Sequence, residues 1–189
     1  MTHEESRETT GPEPHLSPRE RERFDECVLP YLDAAYNLAR YLLRDGDQAE
    51  EAVQEAFLRA IRHFGGFRGA DGRAWILSIV RNTCFTQLRR RRSGGAMVEF
   101  DEEAHSLEAE LSAPEADLAR AIASESVHEG LGRLAAEFRE ALVLRELEGL
   151  SYKEIAHVMG VPIGTVMSRL ARARKQLLLA LGAGAKESV

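Results

Sequence analysis

Cysteine is almost missing from this sequence of 189 residues: only Cys27 and Cys84 occur, with no CxxC pair. That excludes a disulfide framework and a zinc ribbon, and it fits a reducing compartment. Long apolar runs are missing as well. No stretch of about 18 uncharged apolar residues occurs, and the opening MTHEESRETT lacks the apolar core of a secretory signal. A soluble, cytoplasmic protein is expected. Catalytic signatures are equally sparse. The six histidines, at 3, 15, 63, 105, 128 and 157, are scattered, and no HExxH or His/Cys cluster appears. GGFRG lacks the Lys and the Ser or Thr that complete a phosphate-binding loop. The expectation is therefore a chain that is not an enzyme, with no catalytic residue, no metal, no cofactor and no small-molecule substrate. At 21.0 kDa it has room for one compact domain or two small ones.

What the sequence does hold is charge, unevenly spread. The net charge of -6 argues against a nucleic-acid partner only while it is treated as an average. By segment the net is -4 over 1–26, -2 over 27–72, +6 over 73–92, -9 over 93–129 and +3 over 130–189. The basic island at 73–92 contains no acid, and none lies between Glu154 and Glu187. Two polyanion-facing surfaces separated by an acidic stretch are implied.

Hydrophobic spacing organises the rest. Residues 1–22 carry Pro12, Pro14, Pro18 and Gly11 among charges, a composition that reads as a disordered tail. Val28, Leu32, Ala35, Leu38, Ala39 and Leu42 recur at helical spacing and predict one helix over Phe24 to Leu43, with Pro30 in its first turn. A second helix is predicted from Asp47, as cap of a box with Glu50, with Ala49, Val53, Ala56, Phe57, Ala60, Ile61 and Phe64 on one stripe. The glycine-rich GGFRGADG ends it. A third helix spans about Arg73 to Arg92, burying Trp75, Ile76, Ile79, Val80, Thr83, Cys84 and Leu88. Residues 93–113 are small, acidic and unperiodic, as in a linker. Leu118, Ile122 and Val127 then suggest one helix, and Leu134, Phe138, Ala141, Leu142 and Leu144 another, before the pair SYKEIAHVMG and PIGTVMSRLARARKQLLLAL. The fold class is all-α: a tail over 1–22, a helical domain over 23–92, a linker over 93–113, a second helical domain over 114–182 and a tail over 183–189.

Three motifs carry the chemistry. In Leu150 to Leu181, Ser151 and Glu154 form a capping box, Ile155, Ala156 and Met159 face inward, and Gly160 turns the chain. Pro162 starts a helix that buries Val166 and Leu170 and presents Thr165, Met167, Ser168, Arg169, Arg172 and Lys175. This is a helix-turn-helix, whose second helix enters a DNA major groove; the bland counterpart is a helical hairpin with a solvated basic face. The second motif joins Phe67, Arg68, Asp71, Arg73 and Trp75 to Arg81, Asn82, Gln87 and the run Arg89 to Arg92. Arginines beside aromatics suit unstacked single-stranded bases. Trp75 equally suits a core, and the arginine run a solvated helix end. The third is DQAEEAVQEAFL, where Asp47, Glu50, Glu51, Gln54 and Glu55 form a polar ridge leading to Leu58, either a solvated face or an interface.

Together these blocks resemble the sigma-70-type factors of bacterial RNA polymerase, in particular the extracytoplasmic-function (ECF) group. DQAEEAVQEAFLRAIRHFGGFRG with RAWILSIVRNTCFTQLRRRR is similar to region 2, and REALVLRELEGLSYKEIAHVMGVPIGTVMSRLARARKQL to region 4. Only a linker separates them, as in that group. The resemblance implies that Asp47, Glu50, Glu51, Gln54, Glu55 and Leu58 dock on the coiled coil of the largest core-polymerase subunit. It implies that Phe67, Arg68, Asp71, Arg73, Trp75, Arg81, Asn82 and Arg89 capture bases of the minus-ten element. Thr165, Met167, Ser168, Arg169, Arg172 and Lys175 would read the minus-thirty-five element. Core RNA polymerase, promoter DNA and an anti-sigma factor are the partners it implies, with an envelope or stress regulon as output. Met167 departs from the basic residue many relatives carry at that position. A two-domain helix-turn-helix regulator that binds an operator without polymerase is the rival reading, and a helical adaptor that binds no DNA is a third.

Overall fold

The computed structural model describes residues 16–69, 71–93 and 125–184, and among these every regular element is a helix. Most of the linker expected over 93–113, and the expected helical positions Leu118 and Ile122, lie outside the described residues.

Order starts earlier than expected. Helix α1 (Pro18–Cys27) begins inside the stretch expected to be a tail, because Ser17 and Glu20 close a capping box around Pro18 at the first helical position. The single helix expected over 24–43 is broken. Pro30 cannot donate to the helical ladder, so Leu29–Tyr31 tighten into a 3₁₀ turn before α2 (Leu32–Leu43) resumes. Helix α2 ends at Arg44, which adopts the left-handed conformation with φ 60°. The cap of α3 (Gly46–His63) is Asp45, not Asp47: its carboxylate accepts from the Gln48 backbone N–H at 3.1 Å and from Gln48 Nε2 at 2.8 Å. The sharp reversal at Arg44 places Asp45 in the extended geometry a cap requires, so Asp47 falls inside the first turn.

A 3₁₀ turn over Phe64–Gly66 leads to α4 (Gly72–Ser93), started by Asp71, whose carboxylate accepts from the Ala74 N–H at 2.9 Å. Gly72 is required there, since a Cβ would lie 2.0 Å from the Cys27 carbonyl oxygen. Helices α2, α3 and α4 pack on one another around Leu38, Leu42, Phe64, Ile76 and Leu77, all buried. Phe24 and Phe67 extend that core as an aromatic cluster, with Phe64 5.1 Å from Phe24 and 5.7 Å from Phe67 between ring centroids.

The second group comprises α5 (Glu125–Arg133), α6 (Ala136–Leu142) running into a π-helical turn at Val143–Leu147, α7 (Tyr152–Met159) and α8 (Ile163–Gly184). The expected capping box is formed, with Ser151 N–H donating to Glu154 at 2.7 Å, and Gly160 takes φ 66° at the turn. Helix α8 runs two residues past the expected boundary at 182. Val166, Leu170, Ala173 and Leu177 bury its inner face. The two groups are docked: α2 packs on α6, and α4 packs on α7, so the buried apolar residues form one continuous core.

Candidate nucleic-acid and polymerase interface

Helix α3 presents the polar ridge as the spacing predicts. Asp47, Glu50, Glu51 and Gln54 are exposed, Glu55 is half-buried and ion-paired with Arg59, and Leu58 stands half in solvent at the end of the row. Ala49, Ala52, Val53, Ala56 and Ala60 take the opposite face into the core. Small residues there let α3 approach α2 and α4 closely, which leaves the ridge fully outward.

The residues grouped around α4 separate into three environments. Phe67 is 8% exposed and stacks on half-buried Trp75 at 4.6 Å, with Arg23 capping the cluster through a 2.9 Å bond to the Phe67 carbonyl. In this packing both rings belong mainly to the core. Arg68 is exposed and donates to the Gly65 carbonyl at 2.6 Å, while Asp71 serves as the α4 cap. Farther along, Asn82 and Arg89 are exposed, whereas Arg73 and Arg81 turn towards the second helical group. Arg73 donates to the Glu148 carbonyl and lies 3.3 Å from its carboxylate. Arg81 Nε lies 2.5 Å from Oε1 of Glu140, whose side chain is completely buried. Burial pushes the Glu140 carboxyl up to about 7, against the opposing pull of the Arg81 charge and hydrogen bond.

On α8, Met167, Ser168, Arg172 and Lys175 are exposed, and Thr165 and Arg169 half-buried. Arg169 faces Arg81, Asn82 and Phe85 across a groove of about 450 Å³. The structure thus brings part of the two expected DNA-binding sets to one cleft, and it neutralises Arg73 and Arg81 with acids of the other helical group. Sequence reasoning missed those acids. Glu140 and Glu148 carry no local signal, since on a helix each reads as an ordinary solvent-facing residue. Cys84 is fully buried, which pushes its thiol up to about 12 and leaves it unreactive.

Family comparison matches Sigma-70 region 2 to residues 27–94 and Sigma-70 region 4 to residues 124–177. The chain belongs to the ECF group of the sigma-70 family. It is 38% identical over 170 residues to the RNA polymerase sigma-H factor of Pseudomonas aeruginosa, covering 86% of this chain and 88% of that one. It is 34% identical over 166 residues to the ECF RNA polymerase sigma-E factor of Escherichia coli K12, covering 84% and 86%. Among solved structures it resembles the sigma factor RpoE in complex with the anti-sigma factor NepR from Bartonella quintana, with TM-score 0.66, 29% identity and coverage of 85% and 98%. It also resembles CnrH in complex with the cytosolic domain of CnrY, with TM-score 0.60, 26% identity and coverage of 86% and 90%. As an ECF sigma factor the chain directs core RNA polymerase to promoter DNA and initiates transcription. Region 2 of this sigma factor therefore comprises α2 to α4, and region 4 comprises α5 to α8. Among the described residues no helix is long and apolar enough to cross a membrane.

Proposed function

We propose that this sigma factor docks on the coiled coil of the largest core-polymerase subunit through Asp47, Glu50, Glu51, Gln54, Glu55 and Leu58, and holds an opened minus-ten strand along α4. Arg68, Arg73, Arg81, Asn82 and Arg89 supply phosphate and base-edge contacts there, with half-buried Trp75, stacked on Phe67, as the aromatic surface beside them. Thr165, Met167, Ser168, Arg169, Arg172 and Lys175 enter the major groove at the minus-thirty-five element, with Arg172 and Lys175 on phosphates. The observation that supports this division most is spatial. The acidic ridge occupies α3 and the basic residues occupy α4 and α8, so polymerase and DNA meet different elements.

The work is binding, not chemical catalysis, and it takes place in the cytoplasm. Domains over 23–92 and 114–182 act as separate DNA-gripping units on the linker. The similar structure from Bartonella quintana is a sigma factor held by an anti-sigma factor, and the same mode of control, with an envelope or stress regulon as output, extends to this chain.

Two variants test the assignment separately. Glu51→Arg should weaken association with core polymerase by about tenfold or more, from reversed charge on the ridge, while isolated DNA affinity stays unchanged. Arg172→Ala should leave core association intact and lower promoter-directed transcription. Core affinity unaltered by Glu51→Arg, or full activity of Arg172→Ala, would remove the corresponding role.

A further inference from the structure

A second cleft lies between the two regions, apart from the exposed faces of α3, α4 and α8. It encloses about 700 Å³ between α2 on one side and α5 with α6 on the other. Arg40 and Arg44 line it from region 2, and Arg139 from region 4. Arg139 is 7% exposed, and its Nε and Nη1 have no acceptor; its Nη2 donates to the Leu134 carbonyl at 3.3 Å. None of the three guanidiniums forms an ion pair among the described residues. Burial first, and then the nearby charge of Arg44, push the Arg139 guanidinium down to about 10.

Arg44 is placed there against backbone preference. It occupies the left-handed helix terminus where glycine is favoured, and its Nη1 donates to the Gly132 carbonyl at 3.0 Å. Glycine at 132 makes that approach feasible, since a Cβ would lie 2.9 Å from Arg44 Nη2. The acids on the lining do not neutralise the cluster. Both oxygens of Asp45 accept from Gln48, and Glu129 is exposed and pairs with none of the three. Tyr41 and His128, with ring centroids 4.9 Å apart, add an aromatic wall with polar edges.

We infer that this cleft is a binding site for a small ligand bearing adjacent phosphoryl groups, which supplies the counter-charge that Arg40, Arg44 and Arg139 lack. A diphosphate suits the site better than a single monoanion, because it reaches guanidiniums from both regions. Occupancy favours the docked arrangement, since the donors are divided between region 2 and region 4. It therefore opposes the separation that promoter engagement needs; that consequence rests on the sigma-factor assignment, whereas binding itself does not.

Calorimetric titration of the full chain with inorganic pyrophosphate, repeated with adenosine diphosphate, tests the site without polymerase or promoter. One ligand per chain is expected, with a rise in melting temperature on saturation. Arg44→Gly relieves the backbone and should fold well, yet it should weaken binding at least about tenfold, as should Arg40→Gln. Glu129→Gln should tighten it, and Arg172→Gln, on the remote basic face, should leave it unchanged. Tighter binding of adenosine diphosphate than of pyrophosphate would identify a nucleotide held by the aromatic wall; equal binding would identify the phosphates alone. Binding that survives Arg44→Gly and Arg40→Gln undiminished, binding lost in Arg172→Gln, or no binding at about 1 mM pyrophosphate overturns the inference.

Discussion

Glu140 is the residue in which packing and charge conflict most sharply. Its carboxylate is fully buried against Arg81, and a buried pair returns in attraction only part of what desolvation costs. Because its pKa is raised from about 4.5 to about 7, the folded chain binds more protons than the unfolded one across that window. Stability contributed at this site therefore falls as pH rises through the window and is greatest below it. Glu140→Gln keeps an acceptor for Arg81 and removes the titration. Melting curves taken from about pH 5 to about pH 8 should show a shallower decline for the variant than for the parent, and parallel curves would contradict this. Gly72 makes a second prediction at this scale. Gly72→Ala drives a Cβ into the Cys27 carbonyl, so it should destabilise the chain by about 1–3 kcal/mol in chemical denaturation.

Helix boundaries show where sequence reasoning succeeds and where it slips. The helix-turn-helix was fully legible: Ser151, Glu154, Gly160 and the Val166 and Leu170 stripe all occupy the places their types demand. Ser151→Ala should cost about 1 kcal/mol, because it removes the acceptor for the Glu154 N–H. The same capping logic, applied to Ser17, Pro18 and Glu20, would have found α1, but the proline-rich, charged composition of the N-terminal stretch concealed it. Around DGDQ two aspartates compete for one cap. The choice of Asp45 depends on Arg44 turning left-handed, a conformation that an arginine does not announce. Pro30 constrains the chain as its type demands, but it separates two helices instead of opening the first turn of one. On α3 and α8 the exposed candidate residues fell where periodicity placed them, since one buried stripe fixes the opposite face.

At the scale of the whole molecule, the docking of region 4 on region 2 was not legible at all. Contacts such as Arg81 with Glu140, Arg73 with Glu148 and Arg44 with Gly132 join residues 59 to 88 positions apart, and no local pattern encodes such pairs. The docked arrangement leaves the α3 ridge exposed while it engages Arg73 and Arg81, two of the arginines proposed for the minus-ten strand. Removing their counter-charge should change DNA affinity. The double variant Glu140→Gln, Glu148→Gln leaves neutral acceptors in place but unmasks both guanidinium charges, so it should bind a single-stranded oligonucleotide more tightly than the parent. Its salt dependence should steepen by up to about 0.7 for each arginine whose charge is unmasked, measured by fluorescence anisotropy. An unchanged slope would mean that these acids do not restrain the DNA-binding face. The central claim is that α3, α4 and α8 together make polymerase read a two-part promoter. Its most direct test is reconstitution of the purified chain with sigma-free core polymerase on a library of random upstream sequences. Transcripts enriched for two conserved blocks at fixed spacing are predicted, with enrichment lost in Glu51→Arg. Absence of specific transcripts, while the chain alone selects a palindromic duplex, would contradict it.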